Sequence, residues 1–184
     1  GIIYCLSRKK VEDLAQTLQV NGISAVPYHA GLDAKTRAKH QDMFLMEEVD
    51  VVVATIAFGM GIDKSNVRYV IHYNMPGDLE SYYQEAGRAG RDGLKSECIL
   101  LFSERDKGLH EYFITVSQAD DDYKDKMGEK LTKMIQYTKT KKCLEATIVH
   151  YFEPNENLEE CNQCSNCIQE NKTYDMTREA KMII

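Results

Sequence analysis

The stretch Val51-Val52-Val53-Ala54-Thr55-Ile56-Ala57-Phe58-Gly59-Met60-Gly61-Ile62-Asp63 decides how the rest of the chain is read. Its first four residues form an unbroken apolar run, mostly β-branched. A strand with one wet face alternates apolar and polar residues, whereas an unbroken run suits a strand covered on both faces. Short apolar segments with the same character occur at Ile2 to Leu6, Ile23 to Tyr28, Tyr69 to Tyr73 and Cys98 to Phe102. Between them lie segments with helical spacing. Lys9 to Val20 carries Val11, Leu14, Ala15 and Leu18 on one side. Asp33 to Met46 opens with Asp33 as an N-cap, and Leu79 to Arg88 follows the fourth strand. Strands alternating with helices predict an α/β fold, a parallel sheet with right-handed crossovers and helices on both faces. Such sheets present ligand contacts in the loops beyond the carboxyl ends of their strands.

After Glu104 the strand pattern stops. Arg105 to Val116, Tyr123 to Tyr137 and a segment from Cys143 through Phe152 read as helices, followed by a polar loop and a cysteine cluster. This predicts a small α-helical module. Of the six cysteines, Cys5 and Cys98 fall in strand runs and read as small buried hydrophobes. The other four are Cys143 and the knuckle Cys161-x-x-Cys164-x-x-Cys167. Structural zinc takes four thiolates in a tetrahedron, and short spacings plus one distant ligand supply them. The alternative is two disulfides, but no secretory signal marks the chain and adjacent knuckle cysteines pair poorly. Four protein ligands leave no open position, so such a zinc is structural. His150 reads as an ordinary helix residue rather than a fifth candidate.

The composition is that of a globular domain: 184 residues, 43% hydrophobic and 28% charged, with a net charge of −6. No apolar stretch approaches the ~20 residues that span a bilayer. The acidic balance argues against holding nucleic acid by charge alone, but leaves room for a local basic strip. The chain lacks an initiator Met and opens inside an apparent strand, which reads as an excised part of a longer protein.

Three segments carry chemistry. Gln84-Glu85-Ala86-Gly87-Arg88-Ala89-Gly90-Arg91-Asp92-Gly93 places two arginines three apart, so a helical turn would aim both guanidiniums one way, as suits a phosphate chain. Tyr28-His29-Ala30-Gly31-Leu32 follows the second strand. Val53 to Asp63 follows the third, with a hydroxyl at Thr55 and an acceptor at Asp63. Gly61-Ile62-Asp63-Lys64-Ser65 is not a Walker A loop, which needs four residues between its first Gly and the Gly-Lys pair.

Together these segments resemble motifs of the second motor lobe of superfamily 2 helicases. Ala57-Phe58-Gly59-Met60-Gly61-Ile62, Ser81-Tyr82-Tyr83-Gln84-Glu85 and Gly87-Arg88-Ala89-Gly90-Arg91-Asp92-Gly93 are similar to the RecQ DNA helicases in particular. The four cysteines sit where that family carries a zinc-binding subdomain. The resemblance implies a RecA-like sheet and a motor lobe at 1–106. A zinc subdomain would follow at 107–170, and 171–184 would be the truncated start of a winged-helix domain. It implies Arg91 as an arginine finger and Arg88 as a second contributor to the ATP site or to lobe coupling. Asp63, Gln84 and Gly61 would lie at the nucleotide. Ser7, Arg8, His29, Gly31 and Thr55 would face the DNA backbone, and Cys143, Cys161, Cys164 and Cys167 would hold zinc. ATP and Mg2+ belong to the full-length enzyme, whose other RecA-like lobe is a partner in cis. The implied function is ATP-dependent unwinding of duplex DNA in replication, recombination and repair, with no ATPase from the fragment alone. The implied location is the cytoplasm, at the nucleoid, for a bacterial protein and the nucleus for a eukaryotic one. No membrane partner is expected. A non-enzymatic zinc-containing nucleic-acid-binding module is the alternative.

Overall fold

The computed structural model describes residues 1–59 and 62–168. Five strands, β1 (Ile2–Tyr4), β2 (Ala25–Tyr28), β3 (Val51–Ala54), β4 (Tyr69–His72) and β5 (Glu97–Leu100), form one parallel sheet in the order β2-β3-β1-β4-β5. Ile2 lies opposite Val52 on one side and Val70 on the other, and Tyr4 lies between Ala54 and His72. This register puts β1 and β3 at the centre, and both are buried throughout. The apolar run at 51–54 is therefore explained by two covered faces.

The two-residue period of a strand divides the core in two. Ile2, Tyr4, Val52 and Ala54 pack with Phe44 and Phe58 on one face. Ile3, Cys5, Val51 and Val53 pack with Val11, Leu14 and Ala15 on the other. The first face takes Phe44 from α2 (Ala34–Leu45), and the second takes α1 (Arg8–Val20). Asp33 caps α2 as its sequence predicts, accepting the Thr36 N–H at 2.9 Å. Ser7 does the same for α1 through Lys10.

Helix α3 (Leu79–Ala86) is shorter than its apolar spacing suggests, because Gly87 caps it. The remaining helices are α4 (Glu104–Val116), α5 (Asp121–Lys139), α6 (Leu144–Phe152) and the short α7 (Ser165–Ile168), which no apolar period announces. One compact unit comprises Gly1–Ile135 and a second runs from Gln136. The structure corrects one core expectation. Cys5 is buried, but Cys98 is exposed, because β5 is the edge strand of the sheet; its Sγ lies 3.5 Å from the Ala86 carbonyl at the end of α3. Among the described residues no helix is long and apolar enough to cross a membrane.

Candidate functional site at the carboxyl edge and the cysteine centre

The order β2-β3-β1 brings three loops side by side at the carboxyl edge: Leu6–Arg8 after β1, His29–Gly31 after β2 and Thr55–Gly59 after β3. Ser7, Arg8 and Gly31 are exposed, and Thr55 is half-buried. Thr55 is tied into its own turn, its Oγ1 accepting the Ala57 N–H at 3.4 Å and its carbonyl accepting the Phe58 N–H. The Arg8 side chain runs beside Gly31, so that a Cβ on that glycine would lie 3.1 Å from the Arg8 Nη1. Ser7, Arg8, Gly31 and Thr55 thus lie together at the carboxyl ends of three adjacent strands.

His29 takes a different part from the one expected of it. It is only 3% exposed. Its Nδ1 accepts the Gly31 N–H at 3.2 Å, which leaves the hydrogen on Nε2 to be donated to Glu12 Oε1 at 3.1 Å. With both nitrogens engaged inside the protein, His29 shapes the loop and leaves Arg8 and Gly31 as its outward face. Glu12 carries no local signal for this, since the pairing depends on α1 lying against the end of β2.

The paired arginines also part company. Beyond the Gly87 cap the chain leaves the helix, and Gly90 adopts φ +63°. That left-handed turn favours glycine, and a side chain there would meet the Leu94 carbonyl at 3.0 Å. Arg88 turns inward under the Thr55–Gly59 loop, against Gly59 and near the Tyr4 hydroxyl, which itself donates to the Phe58 carbonyl at 3.0 Å. Burial pushes the Tyr4 phenol well above its ordinary range despite the neighbouring guanidinium. Arg91 turns outward. Its Nε donates to the Gly87 carbonyl at 3.2 Å and its Nη1 lies 3.7 Å from Asp63 Oδ1. The side chains of Arg91 and Asp63 are 42% and 93% exposed, so the pair is open to a ligand. Gln84 is exposed on α3. Gly61 lies outside the described residues.

Beneath these groups His72 and Glu85 form a buried pair, Nε2 to Oε2 at 2.8 Å, with the His72 ring stacked on Tyr4 at 5.4 Å and tilted against Tyr82 at 4.9 Å. The pair ties β4 to the last turn of α3, directly before Arg88. Nothing in the spacing of the sequence signals it, because the two residues meet only through the packing of α3 on the sheet.

In the second unit the four sulfurs of Cys143, Cys161, Cys164 and Cys167 all lie within 4.8 Å of one another. The separations are 3.9 Å for Cys143–Cys164, 4.0 Å for Cys161–Cys167 and 3.5 Å for Cys164–Cys167. A tetrahedron with metal–sulfur bonds of ~2.3 Å has edges of about 3.8 Å, so the donor set fits zinc. Disulfide bonds need ~2.05 Å, and all six cysteines are free. Local structure builds the site. Cys143 caps α6, its Sγ accepting the Ala146 N–H, and Cys164 Sγ accepts the Leu144 N–H at 3.3 Å. Asn166 donates to the carbonyls of Thr140 and Lys142, fastening α7 beside the first ligand. Burial opposes ionisation of Cys164, but N–H donors from Leu144 and Cys167 and the adjoining thiols outweigh it and bring this thiol down to about 6. Burial leads the opposite shift of Cys161, up to about 12. His150 stands apart, bonded to the Glu156 carbonyl.

A parallel sheet of this order with these loops on its carboxyl edge is a RecA-like lobe. Its residues 1–93 match the helicase conserved C-terminal domain family, and residues 104–168 match the RecQ zinc-binding family. The chain belongs to the RecQ helicases. It is 46% identical over 184 residues to the ATP-dependent DNA helicase RecQ of Bacillus subtilis (strain 168), covering 100% of this chain and 31% of that protein. It is 40% identical over 183 residues to the ATP-dependent DNA helicase hus2/rqh1 of Schizosaccharomyces pombe, covering 96% of this chain and 14% of that one. The chain thus spans about a third or less of its relatives' length. Among solved structures, the E. coli DEAD-box protein SrmB superimposes with a TM-score of 0.52 at 26% identity, over 61% of this chain and 68% of that one.

Proposed function

We propose that this chain is the second motor lobe and zinc subdomain of an ATP-dependent DNA helicase, acting in replication, recombination and repair. The observation that carries this reading is the gathering of Arg8, Gly31 and Thr55 at the carboxyl ends of three adjacent strands in a chain that also holds an open Arg91–Asp63 pair. Arg8, Gly31 and Thr55 follow the adjacent strands β1, β2 and β3, and Arg91 and Asp63, 3.7 Å apart, join the segment after α3 to the stretch between β3 and β4. We assign residues 1–106 to the motor lobe, 107–170 to the zinc subdomain and 171–184 to the start of a winged-helix domain; this last stretch lies outside the described residues.

No Walker A loop occurs in this sequence, so the main nucleotide seat belongs to the other lobe, a partner in cis. ATP with Mg2+ at that seat would supply the phosphoryl group whose transfer drives the motor. Arg91 would bring its guanidinium to the developing charge when the lobes close, the part an arginine finger plays in other NTPases. Asp63 would hold Arg91 until then and offer its exposed carboxylate to the ribose, and Gly61 and Gln84 would lie beside the nucleotide. Arg88 serves lobe coupling: its inward guanidinium fastens the Thr55–Gly59 loop to the arginine segment, so movement at one is felt at the other. Ser7, Arg8, Gly31 and Thr55 would contact the DNA backbone, with His29 setting their loop. Zinc would crosslink the cysteine module and take no part in the chemistry. The parent protein would work at the nucleoid in a bacterial cytoplasm, or in a eukaryotic nucleus, on single strands and duplex junctions.

The test compares the full-length protein with residues 1–184. The full-length protein should hydrolyse ATP on adding DNA and unwind a duplex, while the fragment should do neither. DNA-stimulated ATPase from the fragment alone would sink this account. A parent protein with no Walker A loop and no ATPase would favour the second reading, a non-enzymatic zinc module that binds nucleic acid.

A further inference from the structure

A second hydrogen-bonded bracket lies across the same edge, on the β4 side. The Leu6 N–H donates to Asn74 Oδ1 at 3.3 Å, and Asn74 Nδ2 donates to Asp106 Oδ1 at 2.9 Å. The other oxygen of Asp106 accepts the Met75 N–H at 3.1 Å. Asp106 is 5% exposed and its own N–H is capped by Ser103 Oγ. One turn further along α4, His110 Nε2 donates to the Met75 carbonyl at 2.7 Å. Both carboxylate oxygens of a buried aspartate are thus spent on two consecutive residues of one loop. Burying a carboxylate is costly unless its bonds are made, and their geometry then specifies a single arrangement.

What the bracket joins gives it meaning. Leu6 immediately precedes Ser7 and Arg8. Asn74 and Met75 lead into α3, whose far end carries Gln84 and the arginine segment. Helix α4 opens the stretch matched by the zinc-binding family. We propose that Asp106 is a positioning residue that locks the loop after β1 to the loop before α3, so that the DNA-facing and nucleotide-facing groups shift as one body. Asp106 touches neither ligand and acts through Asn74. The proposal rests on the helicase reading given above.

The test uses the full-length protein and reads the DNA concentration giving half-maximal ATPase. In Asp106→Asn the amide must turn its NH2 toward either Asn74 Nδ2 or the Met75 N–H, so one bond is lost. The half-point should rise about tenfold, the size of one charge-assisted hydrogen bond. In the reversed pair N74D/D106N, residue 106 keeps an oxygen for Met75 and donates to the carboxylate at 74, which still accepts from Leu6. This double variant should return to the wild-type half-point. A D106N half-point equal to wild type, or a double variant no better than the single one, would overturn the proposal. Should D106N lose zinc or unfold, Asn74→Ala takes its place, since it removes the Leu6 link and leaves the Met75 bond. A raised half-point then supports the coupling and an unchanged one refutes it. Wild-type protein without any DNA-stimulated ATPase would overturn the helicase reading itself, and the proposal with it.

Discussion

Arg88 lies so close to Gly59 that a single methyl group on the glycine would overlap the guanidinium. The glycine of the β3 loop and the first arginine of the arginine segment are therefore shaped for each other. Gly59 is buried, and no ligand need approach it to explain why a side chain is excluded. Replacing Gly59 with Ala should push Arg88 out of its seat and misplace the Arg91 turn that follows. DNA-stimulated ATPase of the full-length protein should fall by about 10²-fold, the cost of a small misplacement at a reacting centre. Zinc content should stay at the wild-type value. Steady-state ATPase with a parallel metal assay reads both.

Arg91 has no comparable seat, since its contacts are the Gly87 carbonyl and an exposed carboxylate. Arg91→Ala should therefore leave the fold alone and remove turnover, by ~10³-fold or more if Arg91 is the finger. Arg91→Lys should not restore it, because a point charge lacks the planar fork. Normal ATPase in the Ala variant would refute the assignment.

The His72–Glu85 pair makes a stability prediction that is independent of catalysis. Glu85→Ala leaves a buried imidazole nitrogen without its partner at 2.8 Å, which should cost about 1–3 kcal/mol. Glu85→Gln keeps an oxygen that can accept from Nε2 and should cost less. Urea midpoints of the two variants give the order, and equal midpoints would show that the bond adds nothing.

Cys164 lies within 4 Å of both Cys143 and Cys167 and accepts the N–H that starts α6. Cys164→Ser should release zinc and unfold the cysteine module, because a metal holds most of the stability of such small modules. Chelator-accessible zinc and helical circular dichroism should change together. A variant that keeps its helicity after losing zinc would contradict this.

Asp33 supplies a pH prediction. Hydrogen bonds from the Thr36 hydroxyl and N–H hold its carboxyl below the ordinary 3.8. A carboxylate with a lowered folded-state pKa binds protons more readily in the unfolded chain. Its stabilisation is therefore complete above the unfolded value and fades as pH falls through the folded one. Asn also caps helices but does not titrate here. Thermal melts should thus show wild type losing stability below about pH 4 more steeply than Asp33→Asn. Parallel acid profiles would rule out a contribution from this cap.

Much of the architecture could be read along the chain, because strand period, buried runs and caps are local. Val51–Ala54 emerges with the same boundaries, Asp33 caps where it should, and the cysteine spacing was enough to bring four sulfurs together. Helix α3 ended early because Gly87 stopped it, and α7 was too short to have a period.

The sequence by itself determined the kind of fold, the strand-end position of each candidate loop and the ligand set of the cysteine centre. These follow from residue type at short spacing. Tertiary structure alone decided which way the side chains turn. Arg88 and Arg91 look equivalent in the sequence, yet one packs inward against Gly59 and the other lies outward near Asp63, because α3 stops at the Gly87 cap before either arginine and the chain then turns left-handed at Gly90. His29 reads as an edge residue, but Glu12 from a neighbouring helix draws its free nitrogen inward. Asp106 carries no signal in the sequence, and only the fold sets Asn74 and Met75 against it. Partners far apart in the chain leave no local pattern, and only packing brings their donors and acceptors within 3 Å or so of one another.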